Sequence, residues 1–446
     1  MSTHKEAQKT ERREWGADEP EKNREEQSTA WKTLAVVGVG YVGLPLAEQA
    51  YRRGYSVTGI DIDEEKVSAL AHRLERKNGA NPSLTFSTDF LAVADADIIA
   101  VCVPTPVYKN HAPNLSPLKA ACRDVGRYLR AGQLVILEST VNPNVTESIV
   151  VPLLEKNSGL AVERDFFVAH APERINPGDS LWHVGNIPRV VGGIGPESLE
   201  RASAFYRSVI DAAILEMNSV REAEAVKVVE NSFRDVNIAF ANELALSFAR
   251  LGINVENVIR GASTKPFSFL AHYPGCGVGG HCIPVDPYYL IRYAEENGFH
   301  HDFLSLARKI NNRMPAYTAD LLLRALKDLS IPFASASAAV LGVAYKPNIE
   351  DDRESPSYKI IERLERAGLS VRVFDPFVPK QSTAETIDEA VSGATAVVVA
   401  TAHQQFVDLS PDFFTTHGVR AVVDGRNCLD KEKFLTAGIV YRGIGI

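Results

Sequence analysis

The chain has 446 residues, of which 45% are hydrophobic and 23% are charged, and its formal net charge is −8. That length predicts two or three domains, and the acidic balance argues against a general nucleic-acid binder, which normally presents a basic face. No apolar run reaches the roughly 18 residues of a transmembrane helix, and the N-terminal stretch lacks the apolar core of a secretory signal. The five cysteines are scattered and odd in number, which does not indicate a disulfide framework. A cytoplasmic protein that binds neither nucleic acid nor membrane is expected.

Residues 1–30 combine both charge signs with almost no aliphatic side chains. Such a composition cannot bury enough apolar surface to offset the entropy of ordering, so a disordered charged tail is predicted. Regular structure is expected to begin at residue 31.

The first such stretch is WKTLAVVGVGYVGLPLAEQAYRRGYSVTGIDID, which predicts a strand, a glycine-rich turn, an amphipathic helix and a second strand. Gly38, Gly40 and Gly43 form the pattern G-x-G-x-x-G, and Asp61 follows 18 residues after Gly43. The glycines permit a tight turn and let the backbone approach a pyrophosphate at a helix N-terminus. Asp61 is expected to accept hydrogen bonds from the adenosine ribose and to repel a 2′-phosphate, which predicts NAD rather than NADP.

Three further apolar runs, DIIAVCVPTP, QLVILEST and DFFVAHAPER, end in polar or turn-forming residues. Nearly continuous apolar strands separated by helices predict a parallel sheet covered on both faces. Because open α/β sheets bind ligands at the carboxyl ends of their strands, Thr105, Thr140 and Glu173 are expected to face one crevice.

One long helix is predicted over residues 220–256, where apolar positions recur at helical spacing without proline. Lys227 and Asn231 lie four residues apart and therefore share a face. Asparagine is a poor residue inside a helix unless it has a specific role, which favours a site over the alternative of a solvated face.

The stretch GVGGHCIPVDPYYL, residues 277–290, places Cys282 on glycine-rich backbone, with Asp286 four residues later. Taken alone, a cysteine beside such a turn is most often a small buried hydrophobe. The rest of the chain favours a reactive thiol instead.

A second αβ pattern begins at residue 338 and lacks the G-x-G-x-x-G motif. Lys346 and Arg353 follow its first predicted strand, and Arg426 follows the predicted last strand, VRAVVDGRN. Basic residues at the carboxyl ends of parallel strands suit a phosphate-bearing ligand. On these facts alone, solvated surface explains them equally well.

Together these motifs resemble the UDP-glucose/GDP-mannose dehydrogenase family. The matching stretches occur in order as GVGYVGLPLA, VCVPTP, ESTV, APER, KVVENSFRDVNIAFANELA, GVGGHCIPVDPYY, GVAYKPNIEDDRESPS and DGRN. The resemblance implies an α/β protein with two Rossmann-like, doubly wound parallel-sheet domains joined by a central long-helix dimerisation region. It implies an NAD-binding domain over 31–215, a central helical domain with the cysteine loop over 216–320, and a C-terminal UDP-sugar-binding domain over 321–446.

The resemblance also implies ligand-binding positions and a homodimer or higher homo-oligomer, with no metal. The positions expected to bind NAD are Gly38, Gly40, Tyr41, Val42, Gly43, Asp61, Thr105, Thr140 and Arg353. The positions expected to bind the UDP-sugar are Glu173, Arg174, Lys227, Asn231, Tyr273, Gly279, Tyr345, Lys346 and Arg426.

The implied activity is a four-electron oxidation of a sugar 6-hydroxyl to a carboxylate without release of the aldehyde, which would supply a precursor for polysaccharide biosynthesis. An aldehyde does not readily give up a second hydride until a nucleophile adds to its carbonyl, and a thiolate is well suited to do so. Cys282 is expected to attack, the thiohemiacetal to pass its hydride to a second NAD, and the thioester to be hydrolysed. Cys276 does not occupy the family's position and is predicted to be incidental.

The neighbouring polar residues receive roles by the same resemblance. Lys227 is expected to stabilise the developing oxyanion as an ammonium, and Asn231 to share that task. Asp286 is expected to handle protons or hold water, and Thr140 to hold a water. Glu173 is the candidate base for hydrolysis, since a suitably placed carboxylate can activate water.

Two departures bear on the sugar. The glucose-oxidising branch has a second glutamate where this chain has Pro177, and it has GGSC where this chain has GGHC. Both differences are similar to the branch that oxidises UDP-N-acetylhexosamines. Within that branch, STKPFSFLAHYPGCGVGGHCIPVDPYYL looks more like the glucosamine enzymes, because the mannosamine enzymes typically have a His-Pro-Arg segment before the glycine loop. UDP-N-acetylglucosamine is therefore the expected substrate.

Several alternatives remain. UDP-N-acetylmannosamine, UDP-glucose or GDP-mannose could be the sugar nucleotide. A two-electron dehydrogenase and a catalytically silent nucleotide-sugar-binding protein are hypotheses of other classes. Substitution of Cys282 distinguishes the four-electron enzyme from both.

Overall fold

A computed structural model describes residues 32–78, 83–108, 112–175 and 181–446. The predicted tail over 1–30 and the position of Pro177 lie outside these described residues. The chain forms two compact units. The N-terminal unit extends to Asn231 and includes Val285–His300, whereas the C-terminal unit comprises Ser232–Pro284 and His301–Ile446.

A mostly parallel sheet forms the centre of the N-terminal unit. Its strands within the described residues are β1 Thr33–Val37, β2 Ser56–Ile60, β3 Leu84–Ser87, β4 Ile98–Val101, β5 Leu134–Leu137, β6 Phe167–His170, β7 Arg189–Gly193 and β8 Ile214–Glu216. They lie in the order β3-β2-β1-β4-β5-β6-β7-β8, and only β6 and β7 pair antiparallel. The first six strands have the order of a doubly wound dinucleotide-binding sheet, whose ligand crevice lies where the order reverses, between β1 and β4.

Helices cover both faces of this sheet. They are α1 Gly43–Arg52, α2 Glu64–Asn78, α3 Ser116–Tyr128, α4 Val151–Ser158 and α5 Pro196–Val209, with a 3₁₀ turn at Phe90–Asp95 and a π-helical turn at Thr146–Val150. Later in the chain, α8 Asp286–Glu296 also belongs to this unit, and its apolar residues form a separate small cluster. In β1, Leu34 and Val36 pack into one apolar cluster while Ala35 and Val37 pack into another. Burial on both faces explains why these strands are almost continuously apolar.

The long helix α6 spans Val220–Leu251, which is shorter than the predicted 220–256. Gly252 ends it with a φ of +69°, and the amide of Ile253 bonds the carbonyl of Phe248 at 3.0 Å. Asn254 then caps a separate helix, α7 Val255–Ala262, by accepting from the amide of Glu256. The prediction of one continuous helix was wrong here because a left-handed glycine terminates a helix, whatever the apolar spacing beyond it.

A second parallel sheet forms the centre of the C-terminal unit. Its strands are β9 Ser337–Leu341, β10 Ser370–Phe374, β11 Ala396–Val399, β12 Ala421–Asp424 and β13 Val440–Gly443, in the order β10-β9-β11-β12-β13. β13 lies beyond the strand that was predicted to be the last. Besides α7 and the part of α6 from Ser232 onward, the described helices of this unit are α9 Asp302–Asp328, α10 Pro356–Arg366, α11 Ile387–Val391, α12 Gln404–Val407, α13 Pro411–Thr416 and α14 Lys431–Thr436, with 3₁₀ turns at Phe333–Ser335 and Pro379–Gln381.

These elements confirm the predicted α/β class, with Rossmann-like parallel-sheet domains towards both termini and a helical central region. Across the part of the chain that the structure describes, no helix combines the length and the apolar character needed to cross a membrane.

Candidate active site

The turn after β1 leaves space for a ligand at one glycine and for nothing at the other two. Gly38 has a φ of +94°, and a Cβ there would lie 2.9 Å from the carbonyl oxygen of Cys102. A Cβ at Gly43 would lie 2.0 Å from the carbonyl oxygen of Gly38. A Cβ at Gly40 would meet no atom within 4 Å. Gly38 and Gly43 therefore shape the turn and the helix–strand packing, while Gly40 faces open space that suits a pyrophosphate.

The residues that follow this turn also fit an anionic ligand. Tyr41 is 58% exposed, Val42 is partly buried, and α1 begins at Gly43 without an acidic residue in its first turn. A helix N-terminus without a local negative charge attracts phosphate through its free amides and its dipole.

Asp61 directly follows β2 and is oriented by three donors. Its Oδ2 accepts from the amide of Val39 at 3.1 Å and from Nζ of Lys66 at 2.9 Å, and its Oδ1 accepts from the amide of Asp63 at 3.2 Å. The Asp61 side chain keeps 10% of its surface exposed. A carboxylate offers about four acceptor positions, so Oδ1 retains one for a ribose hydroxyl. Gly40, α1 and Asp61 together fit an NAD molecule.

The structure brings Thr105 and Thr140 together at neighbouring strand ends. Oγ1 of Thr105 donates to the carbonyl oxygen of Thr140 at 2.6 Å. The hydroxyl of Tyr289, on α8, donates to the carbonyl oxygen of Thr105. Tyr289 was missed by sequence reasoning, because only the folded chain shows which residue of PYYL reaches the strand end.

Glu173 is buried and fully engaged. Its Oε1 accepts from the amides of Arg174 and Ile175 at 2.6 and 2.7 Å, and its Oε2 lies 2.7 Å from Nη2 of Arg189. Arg189 is itself fully buried, and its Nη1 lies 3.7 Å from Oε2 of Glu138. This buried triad, Glu138–Arg189–Glu173, fixes the backbone that follows β6.

Arg174 is held on its other side by the long helix. Its guanidinium forms an ion pair with Glu230 of α6, and its Nη1 donates to the carbonyl oxygen of Pro188 at 3.1 Å. The predicted substrate residue therefore lies beside the helix that also provides Lys227 and Asn231.

Asn231 and Asp286 form a buried pair. Nδ2 of Asn231 donates to Oδ2 of Asp286 at 2.6 Å. Burial raises the pKa of Asp286 to about 7, although the Asn231 hydrogen bond and the charge of Lys227 act in the opposite direction. An acid–base group works best when its pKa lies near the operating pH, so Asp286 is suited to proton transfer.

Glu224, one turn before Lys227, is a further residue that sequence reasoning missed. It accepts from the amides of Asn144 and Thr146 at 2.6 and 2.8 Å and from Oγ1 of Thr146 at 2.6 Å. Asn144 has a φ of +77°. Glu224 thus ties α6 to the segment that follows Thr140. Its partner Asn144 lies 80 residues away in the chain, so no local pattern of the sequence indicates this contact.

In the C-terminal unit, the glycine loop packs against the strand-end loops of the second sheet. The amide of Cys276 donates to the carbonyl oxygen of Gly425, and the amide of Gly280 donates to that of Arg353, both at 2.9 Å. A Cβ at Gly279 would lie 2.7 Å from Cβ of Tyr345. A Cβ at Gly275 would lie 2.9 Å from Nη1 of Arg426. The loop therefore needs glycine for close approach.

These contacts place three residues predicted for the UDP-sugar, Gly279, Tyr345 and Arg426, around one loop of the C-terminal unit. Tyr345 and Lys346 are partly buried after β9, and the amide of Tyr345 donates to the carbonyl oxygen of Asp351 at 3.0 Å. Nε of Arg353, predicted for the NAD phosphates, donates to Oδ1 of Asp351 at 2.9 Å within the same unit. Tyr273 is 51% exposed just before the loop.

The two cysteines of the loop differ in environment. Cys276 is fully buried, its Sγ donates to the carbonyl oxygen of Ala400 at 3.3 Å, and burial raises the pKa of its thiol. Cys282 is partly exposed. Cys282 belongs to the C-terminal unit and Lys227, Asn231 and Asp286 belong to the N-terminal unit. All five cysteines are free, and no cluster suited to a metal occurs among the described residues.

A doubly wound sheet with this glycine turn and this strand-end aspartate defines a dinucleotide-binding protein. Comparison with known proteins defines it further. Sequence models of the UDP-glucose/GDP-mannose dehydrogenase family match in three parts: the NAD binding domain at residues 32–210, the central domain at 221–313 and the UDP binding domain at 339–431.

Full-length relatives agree. A UDP-N-acetyl-D-mannosamine dehydrogenase from Pyrococcus horikoshii is 38% identical over 424 residues, which cover 92% of this chain and 99% of that protein. A UDP-N-acetyl-D-glucosamine 6-dehydrogenase from Pseudomonas aeruginosa is 36% identical over 417 residues, which cover 90% and 98%. A solved UDP-D-ManNAc dehydrogenase from Pyrococcus horikoshii matches with a TM-score of 0.86 at 37% identity, covering 93% of this chain and 99% of that one.

The chain belongs to the UDP-glucose/GDP-mannose dehydrogenase family. It is an NAD-dependent nucleotide-sugar 6-dehydrogenase, as the motifs predicted.

Proposed function

We propose that the protein oxidises the C6 hydroxyl of UDP-N-acetylglucosamine to a carboxylate through a thioester on Cys282. The observation that supports this most is the glycine loop, which packs against Tyr345 and Arg426 and continues directly into a partly exposed Cys282. A loop fixed on the residues proposed for the UDP-sugar is suited to present a thiol to that sugar.

The chemistry assigns each residue a task. NAD, when bound, supplies the hydride acceptor, and two molecules are reduced per sugar. After the first oxidation the Cys282 thiolate adds to the aldehyde carbon, and Lys227 and Asn231 stabilise the oxyanion that forms. Loss of the second hydride leaves a thioester. Water then adds, the carbon–sulfur bond breaks, and the thiolate and the carboxylate are released, with Asp286 exchanging protons and Thr140 holding the water.

Glu173 remains our candidate base for the hydrolysis. Both of its carboxylate oxygens accept hydrogen bonds or pair with Arg189 in the structure. Activation of a water therefore requires that one of these contacts opens during the cycle.

The choice of sugar rests on the stretch before the glycine loop. This chain has Lys265 where we expect the mannosamine enzymes to have their arginine contact, and Nζ of Lys265 lies 4.9 Å above the ring of Phe267. UDP-N-acetylmannosamine is the second candidate, because a relative of that name is as similar to this chain as the glucosamine enzyme is.

The test is the number of NADH formed per sugar, with UDP-N-acetylglucosamine, UDP-N-acetylmannosamine, UDP-N-acetylgalactosamine and UDP-glucose offered separately. Two NADH per UDP-N-acetylglucosamine support the proposal. Two NADH with another sugar only would retain the mechanism and reject the substrate. One NADH with every sugar would reject the thioester.

A matched pair of cysteine variants isolates the thiol. Cys282→Ser is expected to abolish the two-NADH turnover, because a hydroxyl is a far weaker nucleophile than a thiolate. Cys276→Ser changes the same atom on the same loop and is expected to keep two NADH per sugar. Two NADH per sugar in Cys282→Ser would reject Cys282 as the nucleophile, whereas one NADH per sugar in both the wild type and this variant would indicate a two-electron dehydrogenase.

We also propose a cytoplasmic homodimer with the domain limits 31–215, 216–320 and 321–446. Free cysteines support a reducing compartment. Phe233 and Phe240 lie seven residues apart on α6 and are 49% and 56% exposed, which supports an apolar contact surface on this helix. Light scattering after gel filtration is expected to give a dimer, and Phe240→Glu a monomer. A wild-type monomer at micromolar concentration would reject the dimer.

A further inference from the structure

The segment after β9 is bound to a buried aspartate. Asp375 directly follows β10, and its Oδ2 accepts from the amides of Val343 and Ala344, both at 2.7 Å. Its Oδ1 accepts from the amides of Phe377 and Val378 at 2.8 and 3.1 Å. Burial raises the pKa of Asp375, but the hydrogen bonds from His403 and the backbone outweigh it and keep that pKa below its ordinary value.

His403 completes this arrangement from the other side of the segment. It is fully buried, and its Nε2 lies 3.1 Å from Oδ2 of Asp375. Its Nδ1 lies 2.9 Å from the amide nitrogen of Asn348. An amide N–H can only donate, so Nδ1 is the acceptor and the ring proton lies on Nε2, where it bonds the carboxylate.

Asn348 is the second fixed point of the segment. It has a φ of +60°, and its Oδ1 accepts from the amide of Gln404 at 3.2 Å. With the bond to His403, two hydrogen bonds hold a backbone conformation that non-glycine residues rarely adopt. The segment 343–348 is therefore tied down at both ends, at Val343–Ala344 and at Asn348.

Tyr345 and Lys346 lie between these two fixed points. We propose that Asp375 and His403 are positioning residues for the UDP site, which set the backbone of segment 343–348 so that Lys346 meets the diphosphate of the UDP-sugar. This inference rests on the proposed function in one respect, the role of Lys346. His403 itself is too deeply buried to touch the ligand, so its effect must pass through the segment.

His417 offers a matched control within the same unit. It also lies beside a carboxylate, with its Nε2 3.4 Å from Oδ1 of Asp388, and its Nδ1 lies 2.7 Å from a backbone oxygen, that of Phe413. Those partners are in α13 and α11 and do not belong to the segment that precedes Lys346.

The experiment measures UDP binding to the full-length protein by calorimetry, since UDP alone is independent of the sugar. His403→Leu is expected to weaken UDP binding about tenfold, which is the loss of roughly one hydrogen bond's free energy in the bound state. His403→Asn keeps an acceptor near the position of Nδ1 and is expected to recover part of the affinity. His417→Leu is expected to bind UDP as the wild type does.

A double-mutant cycle separates positioning from general stability. If His403 acts through Lys346, then His403→Leu is expected to change the UDP affinity less than twofold in a Lys346→Ala background, because coupled residues are not additive. Measurements at least 15 °C below each variant's melting temperature exclude partial unfolding. If His403→Leu is too unstable to purify, His403→Asn and His403→Gln take its place in the cycle.

The outcomes are distinct. A wild type that does not bind UDP rejects the proposed function and this inference with it. A wild type that binds, with His403 variants of equal affinity, rejects the inference alone. An equal loss with and without Lys346 rejects the route through that lysine.

Discussion

Asp61 and Asp375 occupy corresponding positions in the two sheets. Each directly follows a strand that pairs, in parallel and in register, with the first strand of its unit. In each unit a glycine directly follows that first strand. It is Gly38, with a φ of +94°, after β1 and Gly342, with a φ of +97°, after β9. The glycine amide donates to the last carbonyl of the neighbouring strand, at 2.7 Å in one sheet and 2.9 Å in the other. The backbone of the two turns is therefore built alike.

The two aspartates nevertheless do different work. Asp61 receives one amide of the turn after β1 and a lysine, and its side chain stays partly exposed, which suits the ribose contact expected of it. Asp375 receives four backbone amides and His403 and is fully buried. The comparison teaches that the same strand-end position can be left accessible to a ligand, as at Asp61, or be covered by backbone amides and a histidine, as at Asp375.

The largest expected effect concerns the partner that each unit gives to a buried carboxylate, which is the Arg189 guanidinium in one and the His403 ring N–H in the other. Arg189→Met is expected to lower the free energy of unfolding by about 3–5 kcal/mol, because Glu138 and Glu173 are left as buried charges without a cation. Urea unfolding monitored by circular dichroism measures it. The control is Arg164→Met, whose ion pair with Asp165 is largely exposed, and which is expected to leave the midpoint nearly unchanged. A loss below about 1 kcal/mol in Arg189→Met would contradict the role given to the triad.

The second prediction tests the two aspartates directly. Asp375→Asn is expected to lower the free energy of unfolding by about 2–3 kcal/mol, because the NH₂ group of the new asparagine must face backbone N–H donors. Asp61→Asn is expected to leave stability nearly unchanged, to raise the KM for NAD and to improve the use of NADP, since the repulsion of a 2′-phosphate is lost. Thermal unfolding and cofactor kinetics distinguish the two. If Asp375→Asn changed the NAD kinetics and left the stability unchanged, the structural role given to Asp375 would be contradicted.

The third and smallest expected effect is a dependence of the free energy of unfolding on pH, which arises from Asp286. The pKa of Asp286 is raised to about 7 in the folded protein from its ordinary value of 3.8, so between these values the folded state binds more protons than the unfolded state. Its contribution to stability is therefore present at acidic pH and is lost as the pH rises from about 4 to about 7. Relative to Asp286→Asn, the wild type is expected to lose about 2 kcal/mol between pH 5 and 8.

The control for this pH profile is Glu296→Gln, which removes an exposed carboxylate at the end of the same helix. It is expected to follow the wild-type profile throughout. Asp375 is expected to affect stability in the opposite direction, because its pKa is lowered in the folded protein. Its contribution to stability is present above the ordinary aspartate pKa and is lost as the pH falls below that value. A wild type and Asp286→Asn with parallel profiles would show that Asp286 is not buried as described.

Much of the candidate site could be predicted from the sequence because its parts are local. The G-x-G-x-x-G turn and Asp61 lie within a single βαβ unit. The glycines around Cys282 indicate, within one short stretch, that the backbone there approaches other atoms closely. The same local reasoning failed at residue 252, where a glycine ended the long helix, and it found neither Glu224 nor Tyr289, whose partners lie far away in the chain.

By itself, the sequence determined the fold class, the cofactor and the family, because strand and helix periods, the glycine turn and the motif order are properties of short segments. Only the tertiary structure decided which of two similar strand-end aspartates is open to a ligand. YSVTGID and LSVRVFD end in the same residue, and nothing near Asp375 in the sequence reveals that His403, 28 residues later, will cover it. Burial and hydrogen bonding are set by residues that only folding brings together, and they leave the carboxylate accessible in one sheet and covered in the other.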